Sequence, residues 1–178
     1  MRLRLLLTLW LARLRPRIAL FDTAAVPMRV WPGDLDINLH LNNARYLLAA
    51  DLGRLDWWVR AGWWGRMLRH GWTPVAGDVS ARYSRSLQPF ERYSLQTRLL
   101  GWDDKWFFIE HRFVVGARIC AVVTVRYLLL ARHGERPRPI EALRAFGVEQ
   151  AAPRLPDWVA QWDAAQDQLS SALKNNHG

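Results

Sequence analysis

The segment from Asn43 to about Trp64 constrains the fold more than any other. It contains no Pro and is rich in Ala, Leu and Arg, which predicts a helix of about 20 residues. Wound at about 100° per residue, it gathers Arg45, Asp56 and Arg60 on one narrow side. Asp51 and Arg54 lie off that side, at the i, i+3 spacing of an ion pair. Most of the remaining circumference is apolar, including Leu47, Leu48, Leu55 and Trp58. Such a helix has to be surrounded by protein on most sides, leaving only the Arg45–Asp56–Arg60 side to solvent. Gly62 and Gly65 mark its fraying end.

The rest of the chain supplies the surroundings. Val26 to Trp31 alternates and ends at Pro32-Gly33, a short strand and a turn. After a loop at His70-Gly71 the pattern is strand-like. Trp72 to Leu87 is interrupted at Gly77-Asp78, and Gln88-Pro89-Phe90 turns the chain. Tyr93 to Leu100 and Trp106 to Val115 flank a hairpin connection at Trp102 to Lys105. Gly116 to Arg118 turns again, and Ile119 to Ala131 is a nearly continuous apolar run. These runs form an antiparallel meander. A mostly apolar helix is buried by such a sheet only if the sheet curls around it, an α+β arrangement. Two helical pieces follow the Arg132 to Pro139 break, Ile140–Phe146 and Leu155–Leu173, and Lys174 to Gly178 is a frayed tail. The expected organisation is a helical segment at 1–20, a central domain at 24–135 and a helical extension at 136–178. At 178 residues the chain is long enough for one real core. Eleven Trp place several at pocket walls or an interface, with the Trp57-Trp58 and Trp63-Trp64 pairs in the core by default.

Polar groups concentrate at the helix entrance, from Asp34 to Tyr46. Asn42 or Asn43 is a natural N-cap. Asp34, beside the Pro32-Gly33 turn, reads as structural, and His40 as a hydrogen-bonded structural histidine. Asp36 is either a turn residue or a reactive carboxylate. Tyr46 packs on the sheet with its hydroxyl satisfied. The lone Cys120 lies in an apolar run, a buried thiol rather than a nucleophile. The five His show no metal-ligand spacing, and no phosphate-binding or dinucleotide motif occurs. No metal and no cofactor are expected.

The net charge is +9, almost all of it from Arg. The Arg residues are dispersed and no nucleic-acid motif accompanies them, which argues against a nucleic-acid partner. In residues 2–17 the uncharged stretch Leu5–Ala12 is far shorter than the about 20 residues a membrane span needs. Arg on both sides of it suits a helix lying in a membrane interface, and equally a terminal helix docked on its own domain. A cytoplasmic location follows, with peripheral membrane contact through residues 1–17 as the open alternative.

The order of elements resembles the hot-dog fold. Asp36, Asn38, His40, Leu41, Asn42, Asn43 and Tyr46 match the motif of its 4-hydroxybenzoyl-CoA thioesterase-like branch, and Asp51 and Arg54 match a mid-helix pair. Within that branch the chain more closely resembles the thioesterase superfamily member six group and its bacterial relatives. The resemblance there extends to Arg82–Leu87, Thr97–Asp104 and Glu110–Phe113, and covers roughly residues 26–170. Many members carry Gly directly before the His, where this chain has Leu39.

The resemblance implies an acyl-CoA thioesterase-like hydrolase that releases a carboxylic acid and a thiol. It implies Asp36 as nucleophile or as general base for water, with backbone N–H groups near Asn43 to Arg45 facing the oxyanion. His40, Asn42, Asn43 and Tyr46 would position the loop, and Asp51 is the second candidate carboxylate. Arg82 and Arg85 would meet CoA phosphates, and a homodimer or tetramer follows by analogy. The competing class is a non-catalytic hot-dog module that binds acyl groups or serves as a membrane-associated interaction protein.

Overall fold

The computed structural model describes residues 2–175. Helix α1 (Arg2–Leu14) leads into strand β1 (Ala24–Arg29), a single 3-10 turn at Pro32–Asp34, and helix α2 (Asn43–Arg60). Helix α3 (Trp63–His70) is followed by β2 (Thr73–Tyr83), β3 (Arg92–Trp102), β4 (Phe107–Val115) and β5 (Arg118–Leu130). Helices α4 (Pro139–Ala145) and α5 (Asp157–Asn175) complete the chain. The five strands form one antiparallel sheet in the order β1-β3-β4-β5-β2, curled about α2. Pro27 is tolerated because β1 is an edge strand. The expected tail lies partly beyond the described residues: Lys174 and Asn175 end α5, and 176–178 fall outside.

The long helix differs from the expectation in two ways. It stops at Arg60, because Gly62 takes a left-handed conformation (φ 77°), and α3 begins at once, with Gly65 inside it. The break turns Trp63 back against Trp57, Phe107 and Phe146, so these indoles are core. Secondly, the Arg45–Asp56–Arg60 side is not left to solvent. Helix α1 lies along it, and Asp56 is fully buried between Arg15 (2.5 Å) and Arg60 (3.3 Å). The segment thus docks on its own domain, one of the two settings open to it, and no local pattern marks Asp56 as the partner of Arg15, 41 residues earlier in the chain. Strand β2 is also shorter than expected, ending at Tyr83, with a bulge at Gly77 where the Trp106 ring presses on the backbone.

Alternation along the strands gives the sheet two dressed faces. Phe107, Ile109, His111 and Phe113 of β4 share one face; Phe107 and Ile109 join the Trp57 cluster of α2, and Phe113 packs on Tyr46. Phe108 of the other face joins Val159 and Trp162 of α5. On that outer face Arg126 is nearly fully buried and binds Asp78, Asp163 and Asp167, tying α5 to the sheet. Gly53 is where α2 meets the sheet most closely: a Cβ there would stand 2.6 Å from Thr97 Oγ1 and 2.7 Å from Leu95 Cδ2.

Beside Gly53, Thr97 Oγ1 and His111 Nδ1 are 3.0 Å apart, while His111 Nε2 has no partner among the described residues. Burial, and then the nearby Arg54 charge, holds this imidazole well below its ordinary value of 6.5. The unfolded chain therefore takes up a proton that the folded chain refuses. Stability is full above about pH 6.5 and falls below it, by up to about 1.4 kcal/mol per pH unit. Thermal melts from about pH 7 down to about pH 5 should show this slope in the wild type and lose it in His111→Gln. Equal slopes in the two proteins would contradict the assignment.

Candidate active site

The loop between β1 and α2 is tied to itself by one carboxylate. Asp36 Oδ1 accepts from the Asn38 amide (2.8 Å) and the His40 amide (3.3 Å). The Asp36 amide donates to the His40 carbonyl (2.9 Å), and Leu35 bridges to Leu41 at the loop's neck. This is the short-range chemistry by which Asp closes turns. Asp36 Oδ2 accepts no hydrogen bond among the described residues, so one oxygen of a half-buried carboxylate remains free.

The tight loop needs a left-handed residue at Leu39 (φ 56°). This explains physically why Gly suits the position before the His. Leu39 holds the same backbone at a strain of about 1–2 kcal/mol, and its side chain is turned to solvent rather than into the helix entrance.

His40 contributes through its backbone only. Its imidazole has no hydrogen-bond partner among the described residues, so it is not the hydrogen-bonded structural histidine expected from the sequence. Asn42 is the N-cap of α2, its Oδ1 accepting from the Ala44 amide (2.9 Å), while its carbonyl accepts from Arg45 (2.8 Å). Two of the amides expected to face an oxyanion are thereby engaged. The amide of Asn43, the first residue of α2, has no acceptor among the described residues. It stands at the positive end of the helix dipole.

Tyr46 is buried one turn into α2, with its hydroxyl accepting from the Leu87 amide at 3.3 Å and its ring edge-on to Tyr83 and Phe113. Desolvation raises its pKa above the ordinary 10. Asp34 is structural, as read from its position. It is buried, accepts from the Trp31 amide, and pairs with Arg4 at 3.1 Å and Arg45 at 3.7 Å. Asp51 pairs with Arg54, which also lies over the Trp58 ring, and remains half exposed.

The two arginines of the β2 region separate. Arg82 is exposed on β2. Arg85 binds Glu91 through two nitrogens (2.6 and 3.1 Å), which raises its already high pKa. Arg85 is thus neutralised within the chain and is poorly disposed to meet a phosphate. Cys120 is fully buried, with its Sγ 3.4 Å from the Arg85 guanidinium.

This geometry, a curved antiparallel sheet around one helix with a carboxylate loop at the helix entrance, defines a hot-dog thioesterase scaffold. Residues 30–162 match the thioesterase-like superfamily, and the chain belongs to that family. It is similar to protein THEM6 of Xenopus laevis, at 34% identity over 151 residues, which cover 84% of this chain and 71% of that protein. Among solved structures it is similar to the probable thioesterase YbaW of Escherichia coli (TM-score 0.65, 17% identity, 68% of this chain and 95% of that one). It also resembles the BH1999 gentisyl-coenzyme A thioesterase (TM-score 0.60, 16% identity, 68% of this chain and 99% of that one).

Proposed function

We propose that this thioesterase-like chain hydrolyses an acyl thioester, releasing a carboxylic acid and a thiol, with Asp36 as the acting carboxylate. The observation that supports the reading is that Asp36 Oδ2 and the Asn43 amide, both at the entrance of α2, have no hydrogen-bond partner among the described residues. As general base, Asp36 takes a proton from water as the water oxygen bonds to the carbonyl carbon. The carbonyl oxygen becomes an oxyanion, which a helix N-terminus favours. The C–S bond then breaks and the thiolate leaves with a proton. As nucleophile, an Asp36 oxygen bonds to the carbonyl carbon and the C–S bond breaks, giving a mixed anhydride and the thiol; water then hydrolyses the anhydride, releasing the acid and restoring the carboxylate. The thiol is coenzyme A or another acyl carrier. Arg82 is the better placed of the two candidate phosphate contacts. The test is thiol release across a panel of acyl-CoAs of different chain length. Turnover of at least one is expected, and none across the panel would favour the non-catalytic acyl-binding alternative.

Oligomerisation belongs to the same reading. β2 is a sheet edge whose Val75, Val79 and Tyr83 are exposed, and two such edges can pair antiparallel in a homodimer or the dimer unit of a tetramer. No described helix is long and apolar enough to cross a membrane. Contact with a membrane surface, from a cytoplasmic position, is supported by the outer face of α1. There Leu6, Trp10 and Leu14 form an exposed stripe, with Arg13 beside it. Co-sedimentation with anionic liposomes should fall sharply when Trp10 and Leu14 are both changed to Ser. Undiminished binding would remove α1 from the contact.

A further inference from the structure

The inner side of α1 does something different from its outer side. It lines one side of an open groove of about 600 Å³ whose other walls are the first half of α2, strand β1 and the start of β3. That is within the range of about 300–1,000 Å³ in which small-molecule sites fall. Leu5, Leu11, Met28, Leu48, Leu52 and Tyr93 supply apolar surface. Asp36, His40 and Asn42 do not line it, although Asp34 of the same loop and Asp51, the second candidate carboxylate, stand at its wall.

Charge tells what the cavity would hold. Five Arg line it against two Asp, Asp34 and Asp51. Three of the five are accounted for: Arg4 and Arg45 on Asp34, and Arg15 on Asp56. Asp51 is held by Arg54. Arg29 and Arg92 remain, with no carboxylate partner among the described residues; Arg29 reaches only the Phe90 carbonyl and the Trp31 ring. These two are directly opposed in the β1–β3 ladder. Both side chains are exposed and so partly screened by water, but like charges directly opposite each other still weaken a ladder, and an anion at the rim would relieve them. An apolar cavity with an unmatched cation pair at its rim fits one chemistry.

We propose that the α1 cavity is a binding site for a single-chain anionic amphiphile, an alkyl tail ending in a carboxylate or phosphate, with the head group at Arg29 and Arg92. Helix α1 is the strap along one side of it. The strap is clasped at both ends by arginines on buried carboxylates, Arg4 on Asp34 and Arg15 on Asp56, and Leu5 and Leu9 pack inward.

The test is a titration of the full chain with a fluorescent long-chain carboxylate, displaced by unlabelled competitors. Saturable binding at one site per chain is expected. Each methylene added to a competitor should tighten it about fourfold, until the cavity is filled. The uncharged alcohol of palmitate's length should bind about tenfold more weakly than palmitate. Comparing palmitate with lysophosphatidate identifies which head group is preferred, either result fitting the site. Arg29→Gln with Arg92→Gln should remove the advantage of acid over alcohol, and Leu48→Trp should obstruct the middle of the cavity and weaken binding of both. Thiol release from a short acyl-CoA should persist in Leu48→Trp, and probe binding requires no turnover, so the site and the hydrolase reading can fail separately. No saturable binding, binding unchanged in Leu48→Trp, or alcohol bound as tightly as acid would overturn the proposal. A wild-type oligomer that dissociates in Leu48→Trp would also overturn it, by showing that a second copy of the chain occupies the cavity.

Discussion

Asp36→Asn is expected to lower thiol release from the best acyl-CoA by about 10²–10⁴-fold while leaving the melting temperature almost unchanged. The reason lies in how its two oxygens are used. Oδ1 closes the turn by accepting from the Asn38 and His40 amides, and the Asn carboxamide oxygen can do the same. What Asn removes is the negative charge and the free Oδ2, which is the part the proposed chemistry needs. Asp36→Ala would remove the turn contacts as well and would confuse folding with catalysis. Asp51→Asn is the necessary companion, because that half-exposed carboxylate on α2 is the other candidate. If Asp51→Asn causes the larger fall, the reacting group lies on the helix. If both variants stay within about threefold of the wild type, neither carboxylate performs proton transfer or attack.

Asp56→Ala is expected to destabilise the chain by about 3 kcal/mol or more, as removing one partner from a buried ionic cluster usually does. For a chain of this size that is a fall of about 10 °C in melting temperature. Asp56 is completely buried, with Oδ1 accepting from Arg15 and Oδ2 from Arg60. Without it two guanidiniums meet where α1 crosses α2, with no acid between them. Asp51→Ala breaks a pair whose acid is half exposed and should change stability by no more than about 1 kcal/mol. The contrast is measured by thermal or denaturant unfolding of the two variants. A fall of less than about 1 kcal/mol for Asp56→Ala would mean that α1 does not hold this cluster in solution.

Much of the fold was legible because it rests on periodicity. The apolar circumference of the helix, the alternation in the strands and the turns at Gly116 and Gln88-Pro89 all act over a few residues, and sequence order records them directly. The helix-entrance loop was legible for the same reason: the Asp36 and Asn42 side chains accept hydrogen bonds only from amides within four residues of themselves. Gly53 carried a signal that went unused. An isolated Gly in a helical run costs about 1 kcal/mol against Ala, and here its return is the close approach to Thr97.

The sequence by itself determined the helix-in-sheet arrangement, the capped entrance and the family, since each depends on local pattern or on residues close together in the chain. Only the tertiary structure decided where α1 lies, and so what the charged side of α2 is for. The contacts that settle it, Arg4 with Asp34 and Arg15 with Asp56, span 30 and 41 residues. Any of several arginines could have met either acid, and no periodicity selects between them. Packing in three dimensions made that choice. It buried Asp56, neutralised Arg85 on Glu91, left the Asp36 Oδ2 free, and opened an arginine-rimmed cavity beneath α1.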